Sequence, residues 1–384
     1  MTDAPLHMSV RLKRGDFSID ATLDAGPGVT ALFGRSGAGK STIVAMLAGL
    51  IKPDDGVIRV AGETLFDSQA GVNMAPEHRG VGCVFQDPRL FPHLNVAQNL
   101  KYGLNRVSPA QRADTFAKVV DLLGLDGVLE RRPAGLSGGE KQRTAIGRAL
   151  LSNPRILLMD EPLANLDAAR KSEILPYVER LSADFGVPVV YVSHAMEEVV
   201  RLADTLVLVD AGCVKAHGPV EDLLARLDLT PLTGRYEAGA VLNATVAGHD
   251  DDVRLTRLNM LGHKLFTPRV DLSLGKTVRL RVRARDVALA LTPPVGTSIL
   301  NQIPVTVAQV ELGSGPHAEV ALSVMPKPSF GSAQAQTVLA RVTRKSYQDL
   351  GLERGKPVYA LIKAVAIDRH SLGGLGMGAD QNKS

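Results

Sequence analysis

The chain has 384 residues, 45% of them hydrophobic and 22% charged, with a formal net charge of +4. At about 100–200 residues per domain this length predicts two or three domains that each bury a core, and the apolar fraction excludes disorder for most of it. No window reaches the ~18–20 uncharged apolar residues of a membrane span, the N-terminal stretch lacks the apolar run of a secretory leader, and Cys83 and Cys213 fit no CxxC pattern, which points to a reducing, cytosolic setting.

Residues 1–228 alternate short apolar runs with helical stretches, the pattern of an α/β layer architecture. Strand candidates are Val29–Phe33, Val81–Phe85, Ile156–Asp160, Val187–Val192 and Thr205–Val209. Near-continuous apolar runs of this kind suit strands buried on both faces of a largely parallel sheet. Helices are expected at Lys40–Leu50, Ser137–Leu151, Ala168–Phe185 and Ala195–Ala203. A last one, Val220–Leu227, precedes Pro231 and Gly234, after which helical periodicity does not return.

Between the first of these strands and the first of these helices, Gly34-Arg35-Ser36-Gly37-Ala38-Gly39-Lys40-Ser41 matches GxxxxGK[ST], with Thr42 following. Such glycines let successive backbone N–H groups point inward at phosphate oxygens, and the helix N-terminus adds its dipole. Lys40 is then expected on the β- and γ-phosphates and the Ser41 hydroxyl on Mg²⁺. Further along, Ser137 and Glu140 read as a capping box. Gly138 and Gly139 inside that first turn, however, cost helix stability and bare the N–H groups, which makes an anion site. Ile156-Leu-Leu-Met-Asp160-Glu161 is an apolar strand ending in two acids. Beside a phosphate loop, Asp160 is expected to hold Mg²⁺ and Glu161 to polarise an attacking water.

From Ala240 onward, short alternating segments separated by turn residues point to all-β modules. Residues 229–239 read as a linker, 240–293 as a first module, 297–370 as a second and 371–384 as a disordered tail. The two modules look like copies: Leu242-Asn243 recurs as Leu300-Asn301, and Gly275–Ala284 recurs eighty positions later as Gly355–Ala364. The unequal offsets, 58 and 80, predict an insertion in the second copy around Pro326–Ala335. Residues 230–384 hold 19 Lys and Arg against 12 Asp and Glu, a local +7, while the remainder carries −3. That asymmetry suits an anionic partner, or simply a basic solvated surface.

The order phosphate loop, Gln86, Leu136-Ser137-Gly138-Gly139-Glu140, Asp160-Glu161 and His194 resembles the ATP-binding cassette family, whose signature is LSGGQ or a close variant. The resemblance implies a P-loop NTPase domain over 1–228 that binds ATP and Mg²⁺. Gln86 matches the residue that contacts Mg²⁺ and the coupling surface, Glu161 the general base, and His194 the switch histidine facing the γ-phosphate. Asp167 matches the family's D-loop, and Ser137 and Gly139 match residues that reach the nucleotide held by the opposite subunit, so a head-to-tail homodimer is implied. Family members place an aromatic residue upstream of the phosphate loop to stack on adenine. Here only Phe17 is available, and its alternation with Ile19 reads as core.

The β-rich extension, read as two small OB-like barrels, resembles molybdate-binding Mop-type modules, and nearly the whole chain resembles the ATPases of bacterial molybdate importers. This implies membrane permease subunits docking near Phe91–Leu94 and Asn95–Tyr102, a periplasmic binding protein as an indirect partner, no nucleic acid, and a peripheral place on the cytoplasmic face of the inner membrane. Ser298, Asn301, Lys363 and Arg283, the equivalent of Lys363 in the first copy, are candidate oxyanion ligands in such modules. Modules that only brace a dimer, importers of tungstate, sulfate, iron or polyamine, and an oxyanion-sensing ATPase stay open on the residues alone.

Overall fold

In the computed structural model, which describes residues 4–106, 112–233, 238–313, 315–330, 334–366 and 373–374, the chain divides into the units Met1–Gly218 and Pro219–Ser384. The division falls ahead of residue 228, where the cassette was expected to end. The cause is apolar: helix residues Val220, Leu223 and Leu224 are buried and pack toward a strand of the second unit, and Leu227 belongs to that unit's core.

The first unit begins with β1 (Leu6–Arg14) and β2 (Phe17–Ala25), two strands that alternate buried and exposed positions and pair antiparallel. Then come β3 (Val29–Phe33), α1 (Lys40–Ala48), β4 (Asp55–Val60), β5 (Glu63–Asp67), β6 (Val72–Asn73) and β7 (Val81–Val84). A helical layer follows, α2 (Val96–Lys101), α3 (Arg112–Leu123) and α4 (Gly138–Leu150). The unit closes with β8 (Ile156–Asp160), α5 (Ala168–Phe185), β9 (Val189–Ser193), α6 (Met196–Leu202), β10 (Thr205–Asp210) and β11 (Cys213–Pro219).

These strands form one eleven-stranded sheet, ordered β6-β5-β4-β1-β2-β11-β10-β3-β9-β8-β7. The five strands expected from their apolar runs are β3 and β7–β10, and they pair parallel as a block. The sheet is nonetheless only partly parallel, because β1, β2, β4, β5 and β6 add an antiparallel flank. The two halves differ in burial as the physics requires: β3 and β9 are buried at every position, whereas β1 and β2 bury one face. Helix α2 was not anticipated, although Asn95 and Gln98 form a capping box at its start.

The second unit continues with α7 (Val220–Leu224) and α8 (Thr230–Thr233), then β12 (Gly239–Asp250), β13 (Leu255–Met260), β14 (His263–Pro268), β15 (Thr277–Arg283) and β16 (Val287–Ala290). The second copy supplies β17 (Asn301–Leu312), β18 (His317–Val324), β19 (Gln336–Thr343), α9 (Arg344–Leu350), β20 (Pro357–Ile362) and β21 (Gly373–Gly374). Two five-stranded sheets result, β14-β13-β12-β15-β21 and β16-β20-β17-β18-β19. The repeat is therefore real, but its closing strands are exchanged: β16 follows the first copy and pairs with β20, and β21 follows the second and pairs with β15. One continuous apolar core holds residues of both sheets, which answers how modules of about 60 residues escape marginal stability.

The register of the repeat also differs from the dipeptide match. Strands β12 and β17 bulge at Val246 and Val307, and both residues donate their N–H to the lysine of the Gly-Lys turn, Lys276 and Lys356. Asn243 and Asn301 are thus three residues out of step, and their shared Leu-Asn is coincidence. The extra length of the second copy lies between β18 and β19, at the expected insertion, and in α9. Of the expected tail only Gly373–Gly374 lies within the described residues, and there it forms a strand.

Candidate functional site

Strand β3 delivers the chain into the loop Gly34–Gly39 and then into α1. The loop must start with glycine because a Cβ at Gly34 would lie 2.1 Å from the Val209 carbonyl of β10. Gly39 takes φ +103, a conformation that side chains rarely adopt, and leaves the helix with its N-terminus bare of any side-chain cap. Lys40 is almost fully buried, and its Nζ donates to the carbonyls of Gly34 at 2.8 Å and Arg35 at 3.0 Å. Burial lowers its pKa, and the charges of Glu161 and Asp160 act against that drop. An ammonium held in this way is a fixed positive end for the loop.

Ser36, Gly37, Ala38, Gly39, Lys40, Ser41 and Thr42 line one cavity together with Glu161 and Phe17. Phe17 is thus more than core. Its alternation with Ile19 is as expected, yet it opens β2, and at this strand end its ring tip reaches within 3.1 Å of where a Cβ of Gly39 would stand. Burial alternation alone could not show that an edge of the same ring meets the phosphate loop.

Opposite the loop, β8 ends in Asp160, whose Oδ1 accepts a hydrogen bond from Ser41 Oγ at 3.0 Å. Burial raises the pKa of Asp160, and the Ser41 hydrogen bond offsets part of the rise. Two hard oxygens from two elements converge here, the donor set that suits Mg²⁺. Among the described residues no group of three or more His, Cys, Asp or Glu gathers anywhere to hold a metal. Glu161 follows with φ +46, a left-handed backbone held by its N–H donating to the Val192 carbonyl at 3.1 Å. One carboxylate oxygen of Glu161 lies 3.3 Å from Nδ1 of His194, the residue just beyond β9.

Gln86 follows β7, and its Nε2 donates to Asn165 Oδ1 at 3.2 Å, which ties its segment to the one after Glu161. Asp167 caps α5, with Oδ1 accepting from the N–H of Arg170 at 2.9 Å. Ser137 caps α4 by the expected box: its hydroxyl accepts from Glu140 N–H at 3.2 Å, and the Glu140 carboxylate accepts from Ser137 N–H at 2.7 Å. That backbone hydrogen bond is the main reason the Glu140 pKa is lowered. Gly138 and Gly139 form the first turn of α4.

The four oxyanion candidates of the C-terminal unit do not converge. Asn301 is fully buried, and its amide is spent on one residue, accepting from Phe266 N–H at 2.7 Å and donating to Phe266 O at 3.0 Å. It clamps β17 to β14. Gln336 makes the same pair of bonds to Asn243 on β12. Ser298 is exposed in the connection before β17, and Arg283 ends β15 half-buried. Lys363 lines a cavity of about 500 Å³, which also takes Arg285, Asp286, Thr343 and Ser346.

Residues 18–164 match the ABC transporter family model and residues 297–368 the TOBE domain model. The molybdenum import ATP-binding protein ModC of Paramagnetospirillum magneticum is 50% identical over 364 residues, 95% of this chain and 98% of that protein. The protein of the same name from Rhodospirillum rubrum is 48% identical over 367 residues, 96% of this chain and 98% of that one. Among solved structures, CbiO1 of Clostridium perfringens, part of the ABC transporter complex CbiONQ, superposes at TM-score 0.52 and 25% identity, over 60% of this chain and 94% of that one.

Proposed function

The chain belongs to the ATP-binding cassette transporter family, among its molybdenum-import ATP-binding proteins, and from that premise we propose that it hydrolyses ATP to drive molybdate uptake through partner permease subunits. The observation that carries this reading is a single cavity lined by the phosphate loop, Ser41 and Glu161, with Asp160 bonded to Ser41 and His194 lying against Glu161. When bound, Mg²⁺ would neutralise charge developing on the phosphates, held by Ser41 and Asp160 together with the nucleotide, with Gln86 beside them. Lys40 and the bared N–H groups of the loop bind and orient the phosphates. Phe17 offers a ring beside the loop for the base. Glu161 takes the proton of the attacking water, and His194 holds that carboxylate's orientation. Ser137, Gly138 and Gly139 act on the nucleotide of a second copy, in a head-to-tail dimer.

No helix among the described residues is long and apolar enough to cross a membrane, and the proposed place of action is peripheral, at the cytoplasmic face of the inner membrane. A cavity of about 670 Å³, lined among others by Leu50, Phe85, Phe91, Tyr102 and Arg148, receives the permease. It includes part of the Phe91–Tyr102 stretch read from sequence as the docking segment. Proteoliposomes holding the chain with its permease and binding protein should accumulate molybdate only with ATP enclosed in the lumen, the side to which an importer delivers its substrate. Accumulation of sulfate in preference to molybdate would overturn the substrate.

The C-terminal unit is proposed to bind the oxyanion in the Lys363 cavity, where Lys363, Arg285 and Arg341 outnumber the acid Asp286, and Thr343 and Ser346 add hydroxyls. Titration of the full chain with molybdate should lose its heat in Lys363→Ala. Asn301→Ala should keep that heat while losing stability, by about 1–3 kcal/mol for each of the two Phe266 backbone groups left without a partner. Equal heats in Lys363→Ala and the unmodified chain would make these modules a brace only.

A further inference from the structure

Behind the switch histidine lies a carboxylate that none of the roles above uses. Glu198, in the first turn of α6, is 5% exposed. Its Oε2 accepts from Tyr191 Oη at 2.9 Å and from Ser193 Oγ at 2.8 Å, and its Oε1 accepts from Lys171 Nζ at 2.8 Å. Tyr191 and Ser193 are themselves buried. The Ser193 oxygen in turn accepts from the N–H of Ala195 at 3.0 Å. Both chain neighbours of His194 are therefore tied to Glu198, Ser193 directly and Ala195 through the Ser193 hydroxyl.

His194 needs such a hold. Its side chain is 56% exposed, so packing does little to aim it, and its direction depends on the turn that carries it. That turn opens α6 at Ala195, which offers no side-chain cap of its own. Lys171 extends the network in the other direction. It sits in the first turn of α5, where its N–H donates to the carbonyl of Asp167. We propose that Glu198 is the positioning residue of the switch loop: its carboxylate fixes the Ser193–Ala195 turn so that His194 meets Glu161, and through Lys171 it ties that turn to the helix capped by Asp167. The proposal rests on the reading of Glu161 and His194 as the hydrolytic pair.

The donor inventory supplies a sharp variant. Three donors converge on two carboxylate oxygens, and a carboxylate accepts at both, whereas an amide accepts at one and donates at the other. Glu198→Gln keeps the volume but leaves either Lys171 or the two hydroxyls facing an NH₂ group. In the full chain, kcat for ATP hydrolysis should fall by about tenfold or more, the scale of a reacting group displaced by a fraction of an ångström to an ångström. KM for ATP should stay within about twofold, because the phosphate loop is untouched.

A variant that merely loosened the fold would lose activity in any background. Glu198→Gln placed on His194→Ala should instead cost nothing further, because its effect runs through a side chain already removed. Ser193→Ala carries the same pair of comparisons should Glu198→Gln not fold. Wild-type kcat in folded Glu198→Gln, or an equal loss in both backgrounds, would overturn the proposal. Full activity in His194→Ala alone would instead remove the hydrolytic reading, and the positioning role with it.

Discussion

Glu161→Gln should bind ATP as the unmodified chain does and hydrolyse it about 10²- to 10⁴-fold more slowly, the range of a lost general base. In barrier terms this is about 3–5 kcal/mol. The substitution is nearly isosteric, so the left-handed backbone at Glu161 and its hydrogen bond to Val192 persist. What disappears is the ability to accept the proton of the attacking water. Lys40, Ser41 and Asp160 are unchanged, so affinity for the nucleotide should hold. In a head-to-tail dimer that opens only after hydrolysis, the variant should therefore remain dimeric for as long as ATP is present. Gel filtration with Mg-ATP and a steady-state phosphate assay check the two halves separately. Hydrolysis within about threefold of the unmodified chain would fall outside any general-base role, and would move that role away from Glu161.

The sequence carried this site to different depths. The phosphate loop was legible because a fixed spacing of glycines, Lys40 and Ser41 sits between an apolar strand and a helix, and all three parts are local in the chain. Asp160 and Glu161 were legible by the same logic, as acids at the end of a fully apolar run. Phe17 was not. Its place beside Gly39 is a long-range contact made at the end of a strand, and its pattern within β2 is that of a core residue. The antiparallel flank was missed for a related reason: β1 and β2 alternate rather than run apolar, so a search for buried parallel strands passes over them.

In the C-terminal unit the Gly-Lys turns marked the repeat correctly because both copies spend the lysine carbonyl on the same bulged valine, Val246 or Val307. The shared Leu-Asn misled because a dipeptide carries no register. Asn301 was an anion-ligand candidate through the resemblance to molybdate-binding modules, yet its amide is consumed by the Phe266 backbone, a demand that only the paired sheets create. The exchange of β16 and β21 between the copies lies beyond any pattern confined to one copy.

Arg79→Met should lower the stability of the nucleotide-binding unit by about 3–5 kcal/mol, the cost of leaving several buried oxygens short of a donor at about 1–3 kcal/mol each. Arg79 is wholly buried, and burial lowers its pKa, yet the partners it meets are oxygens without charge. Its guanidinium donates to the carbonyls of Met46 at 2.8 Å and Leu47 at 3.0 Å, to Met74 O at 2.9 Å and to Asn73 Oδ1 at 3.1 Å. The first two belong to the last turn of α1, where carbonyls run out of helical partners and Met46 meets only the Gly49 N–H of the C-cap. A cation at that end also meets the negative end of the helix dipole. Methionine fills much of the same volume but donates nothing, so the Leu47 and Met74 carbonyls would lose the guanidinium and Met46 would keep only the Gly49 N–H at 3.1 Å. At about 2–4 °C per kcal/mol for a unit of this size, the calorimetric transition should fall by roughly 10 °C. Gly49→Ala is the companion test, since a Cβ there would lie 2.5 Å from Arg79 Nε on a backbone at φ +80. It should destabilise by displacing the same guanidinium. The stabilisation gained on adding Mg-ATP should survive both changes, because Lys40 and Ser41 lie at the opposite end of α1. An Arg79→Met chain that melts within about 1 °C of the unmodified one, less than a single unmet hydrogen bond would cost, would leave the α1 carbonyls satisfied by some other donor and remove Arg79 as the support of the C-terminal end of α1.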